Sequence, residues 1–219
     1  MSSSAAYAVF RSRDLRGYIF QFHSPGYKKV SEWTIKSAAQ NGHLGVIEWL
    51  HNNDNAAVEN AKYDTDVMDW AAFLGYLPVV KWLHNHGYKC TKNAMDWAAE
   101  RGQLDVIQWL QEFRREGCSY RAMDWAAMNN HLHIVQWLHK YRTEGCSYRA
   151  MDNAAKFCNF KVMKWLHENR TEGCSVFAIE VAAQFNYFNI LKWLHEHYPA
   201  EFSRASKNQE KIREWLATQ

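Results

Sequence analysis

The sequence predicts an all-α protein made of stacked helical repeats, and two regularly spaced residue pairs predict it. A Trp-Leu pair recurs seven times, and the Trp residues of successive pairs lie 33, 27, 28, 28, 28 and 22 residues apart. An Ala-Ala pair precedes each of the first six Trp-Leu pairs by 11 residues. The seven pairs begin at Trp49, Trp82, Trp109, Trp137, Trp165, Trp193 and Trp215. Self-similarity at such a period is typical of repeat arrays, so we expect one continuous body rather than separate globular domains.

The composition is that of an ordinary folded protein, and it argues against several classes of function. Of 219 residues, 47% are hydrophobic and 22% are charged, with a net charge of +3. This charge is too weak to favour a nucleic acid or a membrane as partner. No apolar run approaches the roughly 18 residues that span a bilayer. The first residues also lack the pattern of a secretory signal, so we expect an intracellular protein, in the cytoplasm or the nucleus.

The first element is a predicted capping helix within residues 1–30. Leu15, Tyr18, Ile19 and Phe22 share one helical face, and Ser-Pro-Gly at 24–26 ends it. Such a cap would cover the apolar side of the terminal repeat. The alternative is an F-box-like helix, because Leu-x-x-x-Ile-Phe at 15–20 resembles the middle of that motif.

The repeat unit is clearest at residues 117–144. Ser119 is a good N-cap for a first helix, called helix A, whose Met123, Ala126 and Ala127 form a buried stripe. Two Asn residues, at positions 129 and 130, then end helix A. A second helix, called helix B, carries the Trp-Leu pair together with further inward apolar residues. The unit therefore predicts a helix–turn–helix repeat.

The segment from Trp70 to Gly87 resembles an ankyrin repeat. It has the family's Ala-Ala pair, a Gly two residues before a Leu, a Val pair and a closing Gly, and residues 42–44 keep the family's Gly-His-Leu. The resemblance covers residues 31–198. It implies an all-α, ankyrin-like helical repeat solenoid of six helix pairs, between N- and C-terminal capping helices at 1–30 and 199–219.

Two features depart from the family's pattern. Ala-Met-Asp replaces the usual Thr-Pro-Leu-His at the start of helix A, and the period is 28 rather than about 33. Both helices align without a gap, so the missing residues fall in the linker, where the family carries a hairpin finger. We therefore expect short or absent fingers. Only the first linker is longer, and its residues 53–59 are expected to form an extended loop.

The helix A position just before the Ala-Ala pair is the strongest candidate for partner binding. It is Trp in three successive repeats and Ser, Asn or Val in the others, which is typical of a partner-facing position. In ankyrin repeats the matching position borders the concave groove, and Trp and Arg are enriched in binding hot spots. The candidate partner-binding residues, all on this face of helix A, are Trp70, Trp97, Trp125, Leu74, Arg101, Arg121, Arg149, Asn129, Phe157 and Phe185.

The alternative for these Trp residues is a structural role. Each ring would then pack between neighbouring helices A, with Arg121 over a ring as an internal cation–π contact. Buried rings would favour that role, whereas open rings would favour a binding groove.

Other recurring residues are interpreted as scaffold. The helix B Trp is common to all seven units, which favours stacking between adjacent helices B. A His that follows most Trp-Leu pairs suits a helix C-terminus, and the acidic residue of helix A suits a first turn. The sequence has no phosphate loop, His-Glu-x-x-His, Gly-x-Ser-x-Gly or Cys-x-x-Cys motif. We therefore expect no enzymatic activity, no metal and no cofactor.

Four of the five cysteines share one repeat position, namely Cys90, Cys118, Cys146 and Cys174. Packed helices lie roughly 8–10 Å apart, whereas a disulfide needs Cα atoms within about 7 Å. These four are therefore predicted to be reduced thiols, as in an intracellular protein. Cys158 is expected to be a small buried or half-buried filler.

The last element is predicted to be one amphipathic capping helix from Ser203 to Gln219, with Ile212, Trp215 and Leu216 on its apolar side. Such a cap is shorter by one helix than a full repeat.

Together these features predict a non-enzymatic module that is monomeric on its own. Its predicted function is to bind an acidic protein partner on the concave helix A face. The alternative is an adaptor or tethering subunit of a larger assembly, including an F-box-like substrate receptor of a ubiquitin ligase.

Overall fold

The fold consists of α-helices joined by short turns, as a computed structural model shows for residues 33–217 (for residue 208, the backbone only). These residues form fifteen helices and no strand. The predicted N-terminal cap and its F-box-like alternative lie outside the described residues. The chain divides into two compact units, Met1–Thr91 and Lys92–Gln219, which are described in turn.

The described part of the first unit, residues 33–91, contains two helix pairs and one additional helix. The helices are α1 (Ile35–Gln40), α2 (Leu44–Asn53), α3 (Asn55–Tyr63), α4 (Asp66–Phe73) and α5 (Leu77–Asn85). α1 and α4 are the helices A, and they pack against each other and against their partners α2 and α5. Their Ala-Ala pairs are completely buried, so that neighbouring helices A approach closely.

The first linker forms helix α3, so the expected extended loop at residues 53–59 is wrong. The Asp54 carboxylate accepts a hydrogen bond from the N–H of Ala57 at 2.9 Å and caps the helix. Val58 and Ala61, three residues apart, are buried on its inner side. An Asp N-cap before Ala-rich sequence is a helix signal in its own right, but this segment has no counterpart in the 28-residue repeat.

The second unit contains four helix pairs followed by a terminal pair. The helices are α6 (Asn93–Glu100), α7 (Leu104–Phe113), α8 (Tyr120–Met128), α9 (Leu132–Tyr141), α10 (Arg149–Lys156), α11 (Phe160–Asn169), α12 (Val176–Gln184), α13 (Phe188–His197), α14 (Pro199–Asn208) and α15 (Glu210–Ala217). Helices A (α6, α8, α10 and α12) pack side by side in chain order. With the two pairs of the first unit, the six predicted helix pairs are confirmed. The domain limits at residues 31 and 198 stay a prediction.

The linkers of the second unit are short, as the 28-residue period predicts. Residues 114–119, 142–148 and 170–175 connect a helix B to the next helix A without a strand. Each linker is closed by an ion pair between residues two positions apart, namely Arg114 with Glu116, Arg142 with Glu144, and Arg170 with Glu172. Burial raises the pKa of the Glu172 carboxyl, but hydrogen bonds from Arg170 and from backbone N–H groups outweigh it and lower the pKa to about 2.

The C-terminal segment forms two helices, so the prediction of one helix from Ser203 to Gln219 is wrong. α14 begins at Pro199, where a proline is favourable because its φ is already helical and its missing N–H is not needed. The chain then breaks at Gln209, which is extended, with φ −127° and ψ 121°. Phe202 and Ile212 are both buried, one on each helix. The end of the array is therefore covered by a helix pair, in which α14 packs on α12.

The turn between helices A and B requires one residue with positive φ. That residue is a glycine in the first three repeats (Gly42, Gly75 and Gly102), but it is Asn130, Cys158 and Asn186 in the next three. Cys158 has a φ of 58° and is exposed, so the expectation of a buried or half-buried filler is wrong. Its place in the repeat is the glycine position of the turn, which points the side chain to solvent.

Candidate functional site

The three Trp residues before the Ala-Ala pairs are each half-buried. Part of each ring packs against the chain and part faces solvent. In the first unit, the ring of Trp70 meets Phe73 edge-on, with centroids 5.2 Å apart. In the second unit, the guanidinium of Arg121 lies 5.8 Å from the ring centroid of Trp125. The half-burial supports packing of these rings and also leaves area for a partner.

Exposed side chains flank this Trp position in the second unit. One turn earlier on the helices A are Arg121, Arg149 and Phe177, and one turn later are Arg101, Asn129, Phe157 and Phe185. All seven are exposed. Because residues four apart share one face of a helix, Arg101, Arg121 and Asn129 border the rings of Trp97 and Trp125. The other four side chains flank the equivalent position in the next two repeats, which holds Asn153 and Val181. The predicted residues of the second unit therefore form one continuous face of its helices A.

The first unit differs at the equivalent positions. Leu74 is half-buried, and so is Asp66, which lies one turn before Trp70. The ammonium of Lys36 on α1 donates to Asp66 at 2.9 Å and to Asp64 at 3.0 Å. These hydrogen bonds raise the pKa of Lys36. An ion-paired cluster therefore occupies the place that exposed arginines hold in the second unit.

Two exposed tyrosines lie next to this face and were missed in the sequence. Tyr120 and Tyr148, each 47% exposed, directly precede Arg121 and Arg149 at the start of α8 and α10. The neighbouring Tyr148 raises the pKa of the Arg149 guanidinium. The recurring Ser-Tyr-Arg sequence was the available signal, since Tyr and Arg are both enriched in binding hot spots.

In four repeats, an aspartate of helix A joins the repeat to the next one. Ser119 donates to Asp96 twice, from its N–H at 2.7 Å and from its Oγ at 2.6 Å. The same pair of bonds joins Thr91 to Asp69, Ser147 to Asp124, and Ser175 to Asp152. The four aspartates are at most 4% exposed. Their predicted structural role is confirmed, although they act on the following repeat rather than on the dipole of their own helix.

The helix B Trp contacts the preceding helix B through the recurring His. The rings of Trp82 and His51 meet edge-on with centroids 5.0 Å apart, and those of Trp165 and His139 are 5.2 Å apart. Trp193 and His167 repeat this contact at 5.1 Å. The predicted stacking between adjacent helices B is therefore confirmed for these repeats, and the His belongs to the scaffold there.

Cys118, Cys146 and Cys174, three of the four cysteines that share a repeat position, are free thiols. Burial raises the pKa of Cys118, Cys146 and Cys174 to about 12, which keeps these thiols protonated and unreactive. Within residues 33–217, no three His, Cys, Asp or Glu side chains group closely enough to hold a metal ion. None of the helices in this range is both long and apolar enough to cross a bilayer.

Comparison with known proteins agrees with this repeat geometry. A family profile described as ankyrin repeats (3 copies) matches residues 35–124, and one described as ankyrin repeats (many copies) matches residues 123–167. Together the two matches cover more than half of the chain. No curated protein matches significantly.

Among solved structures, the chain is similar to the crystal structure of the human ASB11 ankyrin repeat domain. The TM-score is 0.55, and the alignment covers 80% of this chain and 84% of that one. The sequence identity is 16%, so this likeness concerns the fold alone. By its repeats, its helix pairs and both profile matches, the chain belongs to the ankyrin repeat family.

Proposed function

We propose that the chain binds a protein partner on the exposed face of its helices A and has no catalytic activity of its own. Ankyrin repeats are in general protein–protein interaction modules. The observation that carries the proposal is the row of exposed Arg and Phe side chains beside half-buried Trp rings in the second unit. Aromatic and Arg side chains of this kind supply most of the binding energy in protein interfaces.

Trp97 and Trp125 are the proposed anchors in the second unit, and Trp70 has the equivalent role in the first. A half-buried ring is already held in place by its neighbours, so that little side-chain entropy is lost on binding. Arg101, Arg121 and Arg149 would then determine which partner fits, together with Asn129, Phe157 and Phe185. Leu74 would contribute apolar area beside Trp70.

The charge of this face favours an acidic partner. Three arginines are exposed on it, whereas Asp96, Asp124 and Asp152 of the same helices are buried and hydrogen-bonded to the next repeat. The aspartates interact electrostatically with Arg121 and Arg149, but they are buried, so the charges that a partner can contact directly are those of the arginines. Affinity for the partner should accordingly fall as salt concentration rises.

The test compares three folded forms of the chain as bait in a cell lysate, with quantitative mass spectrometry of what each retains. The first is wild type, and the second is Trp70→Ala/Trp97→Ala/Trp125→Ala. The third is a control, Lys81→Ala/Gln108→Ala/Gln136→Ala, which removes three exposed side chains from helices B. Circular dichroism and thermal unfolding check that all three are folded.

The proposal expects a protein that wild type and the control retain and that the Trp variant loses. Its purified form should then bind Arg121→Glu/Arg149→Glu at least about tenfold more weakly than wild type, because charge reversal meets an acidic surface. Equal retention by the two triple variants would overturn the helix A face as the binding site.

A further inference from the structure

A second surface of different character lies at the turns between helices A and B in the last two full repeats. We call it the turn edge and define it by Lys156, Phe157, Phe160, Lys161, Phe185 and Phe188. The first four residues come from the α10–α11 turn, and the last two come from the α12–α13 turn.

The turn edge is aromatic and largely open to solvent. Phe157, Phe185 and Phe188 are 51%, 49% and 57% exposed, respectively. Phe160 is half-buried, and its ring centroid lies 6.0 Å from that of Trp193 in the next repeat. Large exposed apolar side chains that cluster in this way mark interaction sites in soluble proteins.

The repeat scaffold does not require these aromatic residues. At the position of Phe160 and Phe188 the two preceding repeats have Leu104 and Leu132, and at the position of Phe157 and Phe185 they have Arg101 and Asn129. Those repeats form the same helix pair and the same turn. The aromatic side chains therefore serve something other than the fold.

Lysines make the turn edge positively charged. Lys156, Lys161 and Lys164 are all exposed, and no ion pair found within residues 33–217 engages them. The ammonium of Lys156 lies 5.4 Å from the centroid of Phe157, and that of Lys164 lies 4.5 Å from the centroid of Phe160. Lys211 on α15 adds a further cation, since it donates to the carbonyl of Gln184 at 3.3 Å.

The nearby carboxylates do not neutralise the positive charge of these lysines. Asp152 on α10 is buried and accepts hydrogen bonds from Ser175. Glu168 and Glu172 lie at or beyond the C-terminal end of α11, the end opposite its turn with α10. Glu210 lies next to Lys211 on α15, where the two charges offset each other. A partner that carries negative charge therefore complements the α10–α11 turn.

We propose that the turn edge binds an acidic peptide segment that presents two bulky apolar side chains about three residues apart. Neighbouring repeats are separated by roughly 8–10 Å, which an extended chain at about 3.3 Å per residue covers in three steps. One apolar side chain would contact Phe157 and Phe160, and the other would contact Phe185 and Phe188. Acidic residues on either side would pair with Lys156 and Lys161.

The narrow extent of the turn edge favours a peptide over a membrane or a nucleic acid. The preceding turn is polar, with exposed Asn129, Asn130 and His133. The aromatic and basic character is thus confined to two repeats, whereas a membrane or a nucleic acid strand is contacted through a longer row of such groups.

This inference goes beyond the proposed function, because its surface does not include the Trp rings of helices A. Phe157 and Phe185 lie at the corner that the two surfaces share. The test below therefore uses Phe188 and the two lysines, and it also uses Trp97→Ala/Trp125→Ala. That variant should bind the peptide as wild type does, so failure of one proposal is distinguishable from failure of the other.

The experiment measures binding of a fluorescein-labelled peptide by fluorescence anisotropy at low and high salt. The peptide consists of aspartate and glutamate residues with two leucines three positions apart. A control peptide has serine in place of both leucines. The variants are Phe188→Ser and Lys156→Glu/Lys161→Glu, and the matched control is Phe113→Ser, which removes one exposed aromatic side chain at the C-terminus of a helix B.

The proposal expects saturable binding of the leucine peptide that weakens roughly tenfold in each turn-edge variant and is unchanged in the control variant. It also expects at least about tenfold weaker binding of the serine peptide, since the apolar contacts are lost. Equal binding of both peptides would overturn it, as would equal binding by all variants. If the chain sediments with phosphatidylserine vesicles but does not bind the peptide, the proposal is wrong and the turn edge binds a membrane instead.

Discussion

Ser147 donates two hydrogen bonds to Asp124 of the preceding repeat, one from its N–H at 2.8 Å and one from its Oγ at 2.6 Å. Asp124 is only 3% exposed, so these bonds replace the water that a carboxylate needs. Ser147 lies just before α10, and the Asp124 side chain thus fixes the start of that helix relative to α8. Stability in a repeat array depends on such contacts between neighbours.

We expect Asp124→Ala to lower the free energy of unfolding by about 3 kcal/mol, because it leaves two donors without their charged acceptor. Urea titration followed by circular dichroism measures the loss. Glu180→Ala is the matched control, since Glu180 has the equivalent position on α12 but is only half-buried. Its cost should stay below about 1 kcal/mol. Equal costs for the two variants would contradict the role of the Ser147 bonds.

The same carboxylate should make stability depend on pH. Burial raises the pKa of Asp124 above its ordinary value of 3.8, and the bonds from Ser147 offset this only in part. A carboxyl whose pKa is raised in the folded state stabilises that state fully below its unfolded pKa, and this contribution is lost as pH rises through the folded pKa. The unfolding free energy of wild type minus that of Asp124→Asn should therefore fall as the pH rises above 3.8. A difference that grows with pH would mean that the hydrogen bonds outweigh burial.

The helix pairs were predictable because their buried positions recur at a fixed spacing. Ala126 and Leu138, for example, are both at most 1% exposed. Helix α3 was missed because it occurs once and has no period to reveal it. The candidate site was predictable only as a set of positions on helix A. How far the ring of Trp125 is covered depends on side chains of neighbouring helices, which sequence spacing does not specify.

The ion pair between Arg170 and Glu172 covers a glycine of the preceding repeat. Gly145 has a φ of 68°, and a Cβ added there would lie 2.6 Å from Nη2 of Arg170. Gly87 has a similar φ of 78°, but no atom lies within 4 Å of such a Cβ. We expect Gly87→Ala to cost about 1 kcal/mol from backbone strain alone. Gly145→Ala should cost about 2 kcal/mol, because Arg170 must also move away from its position beside Glu172.

The additional cost should disappear when Arg170 is absent. In the double variant Gly145→Ala/Arg170→Ala, the glycine substitution should again cost about 1 kcal/mol relative to Arg170→Ala. Urea unfolding of the four proteins completes the cycle. If Gly145→Ala costs the same with and without Arg170, the packing of the guanidinium over the glycine does not contribute to stability.

Cys158 should be the thiol that reacts first in the folded protein. It is exposed at the positive-φ position of its turn, whereas Cys118 and Cys146 are packed between repeats, where burial raises the pKa of each thiol to about 12. Since the thiolate is the reacting form, a chromogenic disulfide reagent should label one thiol per chain rapidly and the others only on unfolding. Cys158→Gly should remove the rapid phase. It should also raise the free energy of unfolding by about 1 kcal/mol, because glycine adopts a φ of 58° without strain. Rapid labelling that persists in this variant would show that another cysteine is open to solvent.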